Sequence, residues 1–346
     1  MGLNIQSGPG CISWCHYTGS GHHGCSRVSR ACWHCWSLGQ AANNPNHFSN
    51  VARKTAKDPT WVTIKNPQTG LLVPKIVERP LVLNDLINKS PKSIITELAK
   101  INAIPTESLR FPNGPVLPAV LFFDDVSDFF HDQNREEFQV LCLEVFATLR
   151  HKFHIQLLTK RPSNARAFFK KHHCPDNVWV GTTCETTDKD NIGQNYIWDG
   201  KKSIPVKGYP ANWWGGEGDP PWTRLKILSE IEAPVLFTSA EPMVGRIFQP
   251  DSVWKRIDWA IIGFESNNNK PKAPIIRGYD LKDELDDLLA QLARNHVQTW
   301  FKQWGSYDAA GNYLGGHAKA GHSIKGREKF LWQWPKYYLN VQKKGY

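Results

Sequence analysis

The sequence predicts an α/β protein built on a parallel sheet, curled into a (β/α) barrel or partial barrel. Three observations carry this. From residue 116 onward, short apolar runs alternate with longer stretches of helical periodicity. The runs are apolar throughout rather than alternating, as in strands covered on both faces. Each run ends in polar or charged residues, and in a barrel those carboxyl ends share one face, where chemistry sits.

The elements follow in order. Residues 1–35 read as loop, apart from a short strand at Ile12-Ser13-Trp14. Residues 36–60 are irregular, with a turn at Asn43-Asn44-Pro45-Asn46. Trp61 to Ile64 and Leu71 to Val77 flank Asn66-Pro67-Gln68-Thr69-Gly70, a hairpin signature. Ile94 to Ile101 forms a short helix. Val120 to Phe123 is a strand ending in Asp124-Asp125. Residues 134–151 form a helix with Phe138, Leu141, Cys142, Val145 and Leu149 on one face. Phe153 to Leu158 is a strand ending in Thr159-Lys160-Arg161-Pro162, followed by a helix from Asn164 to Lys171. Val178 to Gly181 is a strand ending in Thr183-Cys184-Glu185. A helix spans Trp222 to Ile231. Val235 to Phe237 is a strand ending in Ser239-Ala240-Glu241-Pro242, and Trp259 to Ile262 ends in Gly263-Phe264-Glu265-Ser266. Leu281 to His296 is a helix with Leu281, Leu285, Leu288, Leu289 and Leu292 as its apolar stripe. Thr299 to Phe301 is the last strand, ending in Lys302-Gln303-Trp304-Gly305.

In such a barrel Asp124, Asp125, Ser127, Asp128, Lys160, Arg161, Thr183, Glu185, Ser239, Glu241, Glu265 and Lys302 converge. The competing reading makes them caps of the helices that follow. Six strands with the same kind of ending favour a shared site.

A barrel domain would cover 1–305, with an insertion at 191–221 and an extension at 306–346. The insertion lacks clear periodicity and holds Trp213-Trp214, which could stack on a base or fill an apolar gap. From His317 to Tyr346 the extension has seven Lys or Arg against one Glu, interleaved with Phe330, Trp332, Trp334, Tyr337 and Tyr338. That composition suits a nucleic-acid contact or an aromatic tail packed on the barrel.

Across 346 residues there are 42 Lys or Arg against 32 Asp or Glu, a net charge of +10, with fifteen tryptophans. Such a chain attracts phosphate, and exposed aromatic rings stack on bases, so DNA or a nucleoside is the expected partner. Without a run of eighteen apolar residues no membrane partner is expected, and the first residues lack the pattern of a signal peptide. Eight cysteines without such a signal point to a reducing, cytoplasmic setting and to thiol or metal chemistry.

Three of those cysteines, Cys25, Cys32 and Cys35, are spaced C-x6-C-x2-C within the loop 24–36. A [4Fe–4S] cluster on three thiolates leaves one iron open, whereas structural zinc takes four ligands. His22, His23, His34, Cys11 and Cys15 lie near enough in sequence to supply a fourth. Spacing alone leaves cluster, zinc and unliganded thiols all open.

Further stretches narrow this. Ile12-Ser13-Trp14, Gly24-Cys25 through Cys32 and Cys35, Ser127-Asp128-Phe129-Phe130-His131, Leu158-Thr159-Lys160-Arg161-Pro162, Asn177 to Gly181, Ser239 to Gly245, Ile257 to Ser266 and Phe301-Lys302-Gln303-Trp304-Gly305 occur in this order across residues 12–305. In these the chain resembles a family of phage-encoded, radical-SAM-like proteins with a three-cysteine signature. The resemblance implies a radical SAM barrel and a [4Fe–4S] cluster on Cys25, Cys32 and Cys35, with S-adenosyl-L-methionine (SAM) on the open iron. It also implies an external one-electron donor and, for a phage protein, the host cytoplasm. Ser127, Asp128, Lys160, Thr183, Glu185, Ser239, Glu241, Glu265 and Lys302 are the candidates for binding the cofactor. Two departures stand at the site: Trp36-Ser37 where the family usually has Tyr-Ala, and Gly263-Phe264-Glu265-Ser266 where it has Gly-Gly-Glu-Ser.

Some members of that family resemble enzymes of thymidine hypermodification, in which a radical SAM isomerase moves an aminoacyl substituent from nitrogen to carbon attachment. The expected function is that isomerisation on a modified thymidine. The alternatives are a radical SAM lyase that repairs DNA photoproducts and a zinc-stabilised nucleic-acid-binding protein without catalysis.

Overall fold

A computed structural model describes residues 3–6, 12, 14–26, 28, 32, 35, 37–38, 41, 44, 48, 50–54, 59–102, 117–188, 196–198, 203–205, 218–266, 278–314, 324 and 333–343. Eight strands form the main sheet: β1 (Asn4–Ile5), β2 (Tyr17–Gly19), β3 (Ala119–Phe123), β4 (Phe153–Thr159), β5 (Val178–Thr183), β6 (Val235–Ala240), β7 (Trp259–Gly263) and β8 (Gln298–Gln303). Each strand pairs with the next in sequence. Only β1 with β2 is antiparallel; every later pairing is parallel. The sheet curls into a half-barrel whose edges, β1 and β8, do not join.

Eight helices are described: α1 (Leu81–Asn88), α2 (Pro91–Asn102), α3 (Glu136–Thr148), α4 (Pro162–Phe169), α5 (Pro221–Leu228), α6 (Asp251–Trp254), α7 (Lys282–Arg294) and α8 (Lys336–Lys343). Helices α3, α4, α5 and α7 occupy the expected crossovers, since a parallel strand can be reached only by such a connection. The α3 face is rotated from the expected one: Leu141 is 44% exposed, and Leu143 and Phe146 are buried beside Phe138 and Cys142. Phe146 packs edge-on against Phe123 of β3, which settles the rotation of the helix.

The strand expected at Ile12-Ser13-Trp14 lies a few residues later, and β1 precedes it. Trp14 is in a turn, and the strand is Tyr17–Gly19, where Tyr17 and Gly19 register with Leu121 and Phe123. Three residues without periodicity carry no strand signal of their own; pairing with β3 makes them a strand. The hairpin is as anticipated, Thr63–Lys65 against Leu72–Pro74 with Ile64 opposite Val73, while Trp61 belongs to a separate pairing with Ala52. Helices α1 and α8 and the short α6 were not anticipated. Part of the 191–221 insertion is a small hairpin, Tyr196–Trp198 with Ser203–Pro205; Trp213 and Trp214 lie outside the described residues.

In a parallel sheet, paired residues point to the same side. The registers therefore place His154, Gln156, Trp179, Val235, Phe237, Trp259, Ile261 and Trp300 on the concave face. Gly181 makes room there: a Cβ on it would lie 2.5 Å from the Phe237 ring. At the amino ends of the strands the extension closes the half-barrel. Trp334 stacks on Trp259 and on His16, and Tyr338 packs against Trp179 and His154. Trp259 Nε1 donates to Gln333 O at 2.7 Å, and Tyr338 Oη to Pro118 O at 3.2 Å. Trp334 and Tyr338 are core residues, 3% and 2% exposed. Phe330 and Trp332 lie outside the described residues.

Burial on this floor pushes His154 down to about 4 from 6.5. The unfolded chain then binds the extra proton first, so stability is full above pH 6.5 and falls as pH drops toward 4, by about 3 kcal/mol for this group. We expect His154→Phe to flatten that part of the acid limb in urea melts taken across this range. An unchanged acid limb would show that His154 is not the group responsible.

Candidate functional site

The carboxyl ends of the strands form a rim, and the cysteine loop lies against it. Gly24, with φ of +101°, turns the chain into this loop, and a Cβ there would lie 2.2 Å from Lys75 O. Only glycine fits that approach. Cys25 is half-buried, Cys32 buried and Cys35 exposed.

A buried ion pair ties the loop to the sheet. Arg161 follows β4, is 1% exposed, and donates from Nη1 to Asp128 Oδ2 at 3.0 Å and from Nη2 to Ser26 Oγ at 2.5 Å. Asp128 also accepts from Thr159 Oγ1 at 2.6 Å and from the Lys160 amide at 3.2 Å. Burial alone would raise the Asp128 carboxyl, but the Arg161 guanidinium and the Thr159 hydroxyl hold it below the usual carboxylate range. His131 reaches Ser26 Oγ at 2.9 Å, and Ser127 Oγ donates to Gly24 O at 2.7 Å. Ser127, Asp128, His131 and Arg161 thus hold the backbone on both sides of Cys25.

Cys25 and Cys35 lie close enough to other thiols to feel them. Burial pushes Cys25 up to about 12; the Arg161 charge opposes this, while Asp128, Cys32 and Cys35 add to it. Cys35 is raised too, by desolvation first and by Cys32 next, with the Ser37 and Leu38 amides and Lys160 opposing. A thiol held this high stays protonated at neutral pH until a metal displaces its proton. Among the described residues no group of three or more His, Cys, Asp or Glu side chains is already gathered as a metal site. Instead Cys25 Sγ donates to Ser26 O at 3.5 Å.

Several nearby donors are committed elsewhere. His22 Nδ1 bonds Asp124 Oδ2 at 2.7 Å in a buried pair. Arg79 Nη1 lies 3.2 Å from His23 Nδ1, and Cys15 Sγ donates to Ile12 O. Cys11 and His34 lie outside the described residues. Among the described residues of the loop, the thiols are Cys25, Cys32 and Cys35.

Two more charge groups complete the rim. Lys160 Nζ pairs with Glu185 Oε1, and Arg224 Nη1 donates to Glu185 Oε2 at 2.7 Å and to Thr183 O at 2.9 Å. Glu241 accepts at Oε2 from Ser239 Oγ at 3.1 Å and from Trp14 Nε1 at 3.0 Å, while Lys302 Nζ lies 2.7 Å from its Oε1. Gly263 leaves space for that carboxylate, since a Cβ there would lie 3.0 Å from Glu241 Oε1. Glu265 is buried, 8% exposed. Asp124 and Asp125 point elsewhere: Asp124 to His22, and Asp125 to Ser20 Oγ at 2.5 Å. For the helices that follow these strand ends, α4 after β4 and α5 after β5, no side chain of the N-cap residue makes a capping bond. The strand ends bond to one another across the sheet instead.

Ser26, His131, Arg224 and Trp14 escaped sequence reasoning as site residues. Arg224 left one trace: it falls at the second position of the α5 stripe Pro221, Arg224, Leu225, Leu228, where an apolar residue is the rule, and it is fully buried.

A curled parallel sheet with a thiol loop and paired charges at the carboxyl ends of its strands defines an α/β protein with its candidate site on that rim. The chain belongs to the family DUF5131, described as a protein of unknown function, whose match covers residues 10–196 and 200–333. A search of curated proteins and a search of solved structures each gave no match. Among the described residues no helix is long and apolar enough to cross a membrane.

Proposed function

We propose that this protein is a radical SAM enzyme that isomerises an aminoacyl-modified thymidine in DNA. Its [4Fe–4S] cluster would be held by Cys25, Cys32 and Cys35. The reading is supported by the C-x6-C-x2-C spacing of the three cysteines and by Ser127 and Arg161, which bond Gly24 and Ser26 on either side of Cys25 beside the charged strand ends. The cluster and SAM, when bound, supply radical chemistry able to remove hydrogen from an unactivated carbon.

The chain's own residues have simpler tasks. Arg161, held by Asp128, anchors Ser26 and with it the chain beside Cys25. Lys160 and Lys302 offer cations to a carboxylate or phosphate, and Glu185 and Glu241 orient them. Glu241 and Glu265 are the acceptors for an amino group or a ribose hydroxyl. The aromatic floor of the half-barrel keeps bulk water from below, which favours a reactive radical over its quenching.

The test is anaerobic purification with iron and sulfide analysis, set beside Cys32→Ala. We expect iron and sulfide in equal amounts, a brown protein, and SAM cleavage on reduction by dithionite. The variant should lose colour and cleavage together. Turnover of an aminoacyl-thymidine without change of mass then reads the isomerisation. Zinc in place of iron, with SAM left intact, would overturn the enzyme reading; a change of product mass would overturn the isomerisation.

A further inference from the structure

The hairpin Thr63–Pro74 carries a feature that the rim site does not use. Leu71 and Leu72 are 67% and 73% exposed, and Ile64 is 44% exposed. Leu71 ends the turn and Leu72 opens the strand Leu72–Pro74, so the two exposed leucines are adjacent at the tip. Both sit directly behind the turn. Lys65 registers with Leu72 and shares its face. The exposed apolar surface costs free energy in water, and a two-stranded hairpin has no interior in which to hide it.

The hairpin is stiff and well placed. Asn66 Oδ1 accepts from the amides of Gln68 and Thr69 at 2.8 and 3.2 Å, and the Gly70 amide donates to Asn66 O at 2.8 Å. At its base the Lys75 amide donates to Val62 O at 2.7 Å. The same Lys75 offers the carbonyl on which Gly24 packs, one residue from Cys25. Just beyond, His22–His23 pairs with Val77–Glu78. The hairpin thus rises from the edge of the cysteine loop, its tip roughly 13 Å beyond Val62 at about 3.3 Å per residue.

Charge identifies the occupant. From residue 51 to 77 the chain has Arg53, Lys54, Lys57, Lys65 and Lys75 against one acid, Asp58, within a protein of net charge +10. Of these, Lys65 lies opposite Leu72 near the apolar tip and Lys75 stands at the hairpin's base, where they match a phosphate backbone flanking stacked bases. Apolar wedges on proteins that grip the duplex enter between base steps and unstack them. A base inside a duplex cannot reach a recessed site until it leaves the stack.

We propose that the Thr63–Pro74 hairpin is a wedge that enters duplex DNA, Leu71 and Leu72 occupying the space of a base turned out toward the cysteine rim. This deepens the reading above and rests on its assignment of a nucleoside in DNA as substrate. It makes the polymer, rather than the free nucleotide, the substrate.

The test uses the full chain and a short A·T duplex in which 2-aminopurine, bright when unstacked, replaces several adenines. We expect fluorescence to rise several-fold on binding. Leu71→Ser with Leu72→Ser should abolish the rise while leaving affinity within about threefold, since phosphate contacts dominate affinity. Lys65→Glu should instead weaken binding about tenfold at low salt. Both sites are exposed, so unchanged circular dichroism is expected. A wild-type protein that leaves the fluorescence flat, a leucine pair variant that keeps the full rise, or preference for RNA of the same sequence would overturn the wedge. So would a wild-type dimer that the leucine substitutions dissolve, because a second copy would then be the occupant. SAM cleavage is read separately on the same samples without DNA. Cleavage with no DNA signal sinks the wedge alone, and the DNA signal with no cleavage sinks the radical reading alone.

Discussion

Arg161→Ala should cost about 3–5 kcal/mol of folding stability. The guanidinium is almost wholly buried and lies 3.0 Å from Asp128, itself 5% exposed. Removing it leaves a carboxylate buried without its cation, and that uncompensated charge, rather than the lost attraction, makes the cost large. Ser26 loses its donor as well, so the loop beside Cys25 loses its anchor. Urea denaturation of Arg161→Ala, Asp128→Asn and the double variant checks this. In the double variant the charge is gone from both partners, so it should be more stable than Arg161→Ala alone. If the single Arg variant unfolds within about 1 kcal/mol of the parent, the pair is not a structural anchor. Iron content read on the same proteins separates the two roles: if the proposed radical SAM reading holds and the pair positions the thiols, the folded Asp128→Asn protein should carry less iron than the parent.

Trp334→Ala should cost a similar amount, about 3–5 kcal/mol, as expected for a tryptophan removed from a packed core. Its ring centroid lies 5.6 Å from Trp259 and 5.7 Å from His16, and it touches Tyr338 and Trp300 besides. Little can collapse into the gap, because these neighbours are held by the sheet. Thermal melts of Trp334→Ala and of the more conservative Trp334→Phe check this, the second being expected to retain most of the stability. The same variants decide what the extension does. As part of the floor, Trp334 affects stability and leaves the proposed DNA binding unchanged in the folded fraction. A large drop in DNA affinity at unaltered stability would instead make it a binding arm.

The candidate site was partly legible. Each strand end announced itself because an apolar run stopped at a charge, and at those ends Lys160 pairs with Glu185 and Lys302 with Glu241. Asp124 and Asp125 stand at such an end too, yet turn to His22 and Ser20. Strand position says which end of the barrel a residue occupies; it does not say which partner lies within 3 Å. Arg224 could not be placed at all, because it comes from a helix after β5, and only the crossover brings it beneath Glu185.

The same division holds for the fold. Runs of apolar residues with helical stretches between them determined, from the sequence by itself, that the sheet is parallel, that its strands follow chain order, and that the polar ends share a rim. Those features depend on local periodicity and on the reach of a crossover. What only the tertiary structure decided is that β2 is a strand, that the sheet stays open between β1 and β8, and that the aromatic extension closes its floor. None of these is encoded locally. Tyr17–Gly19 extends because β3 offers it hydrogen bonds, and Trp334 and Tyr338 are buried because Trp179, Trp259 and His154 present a face that water would otherwise cover.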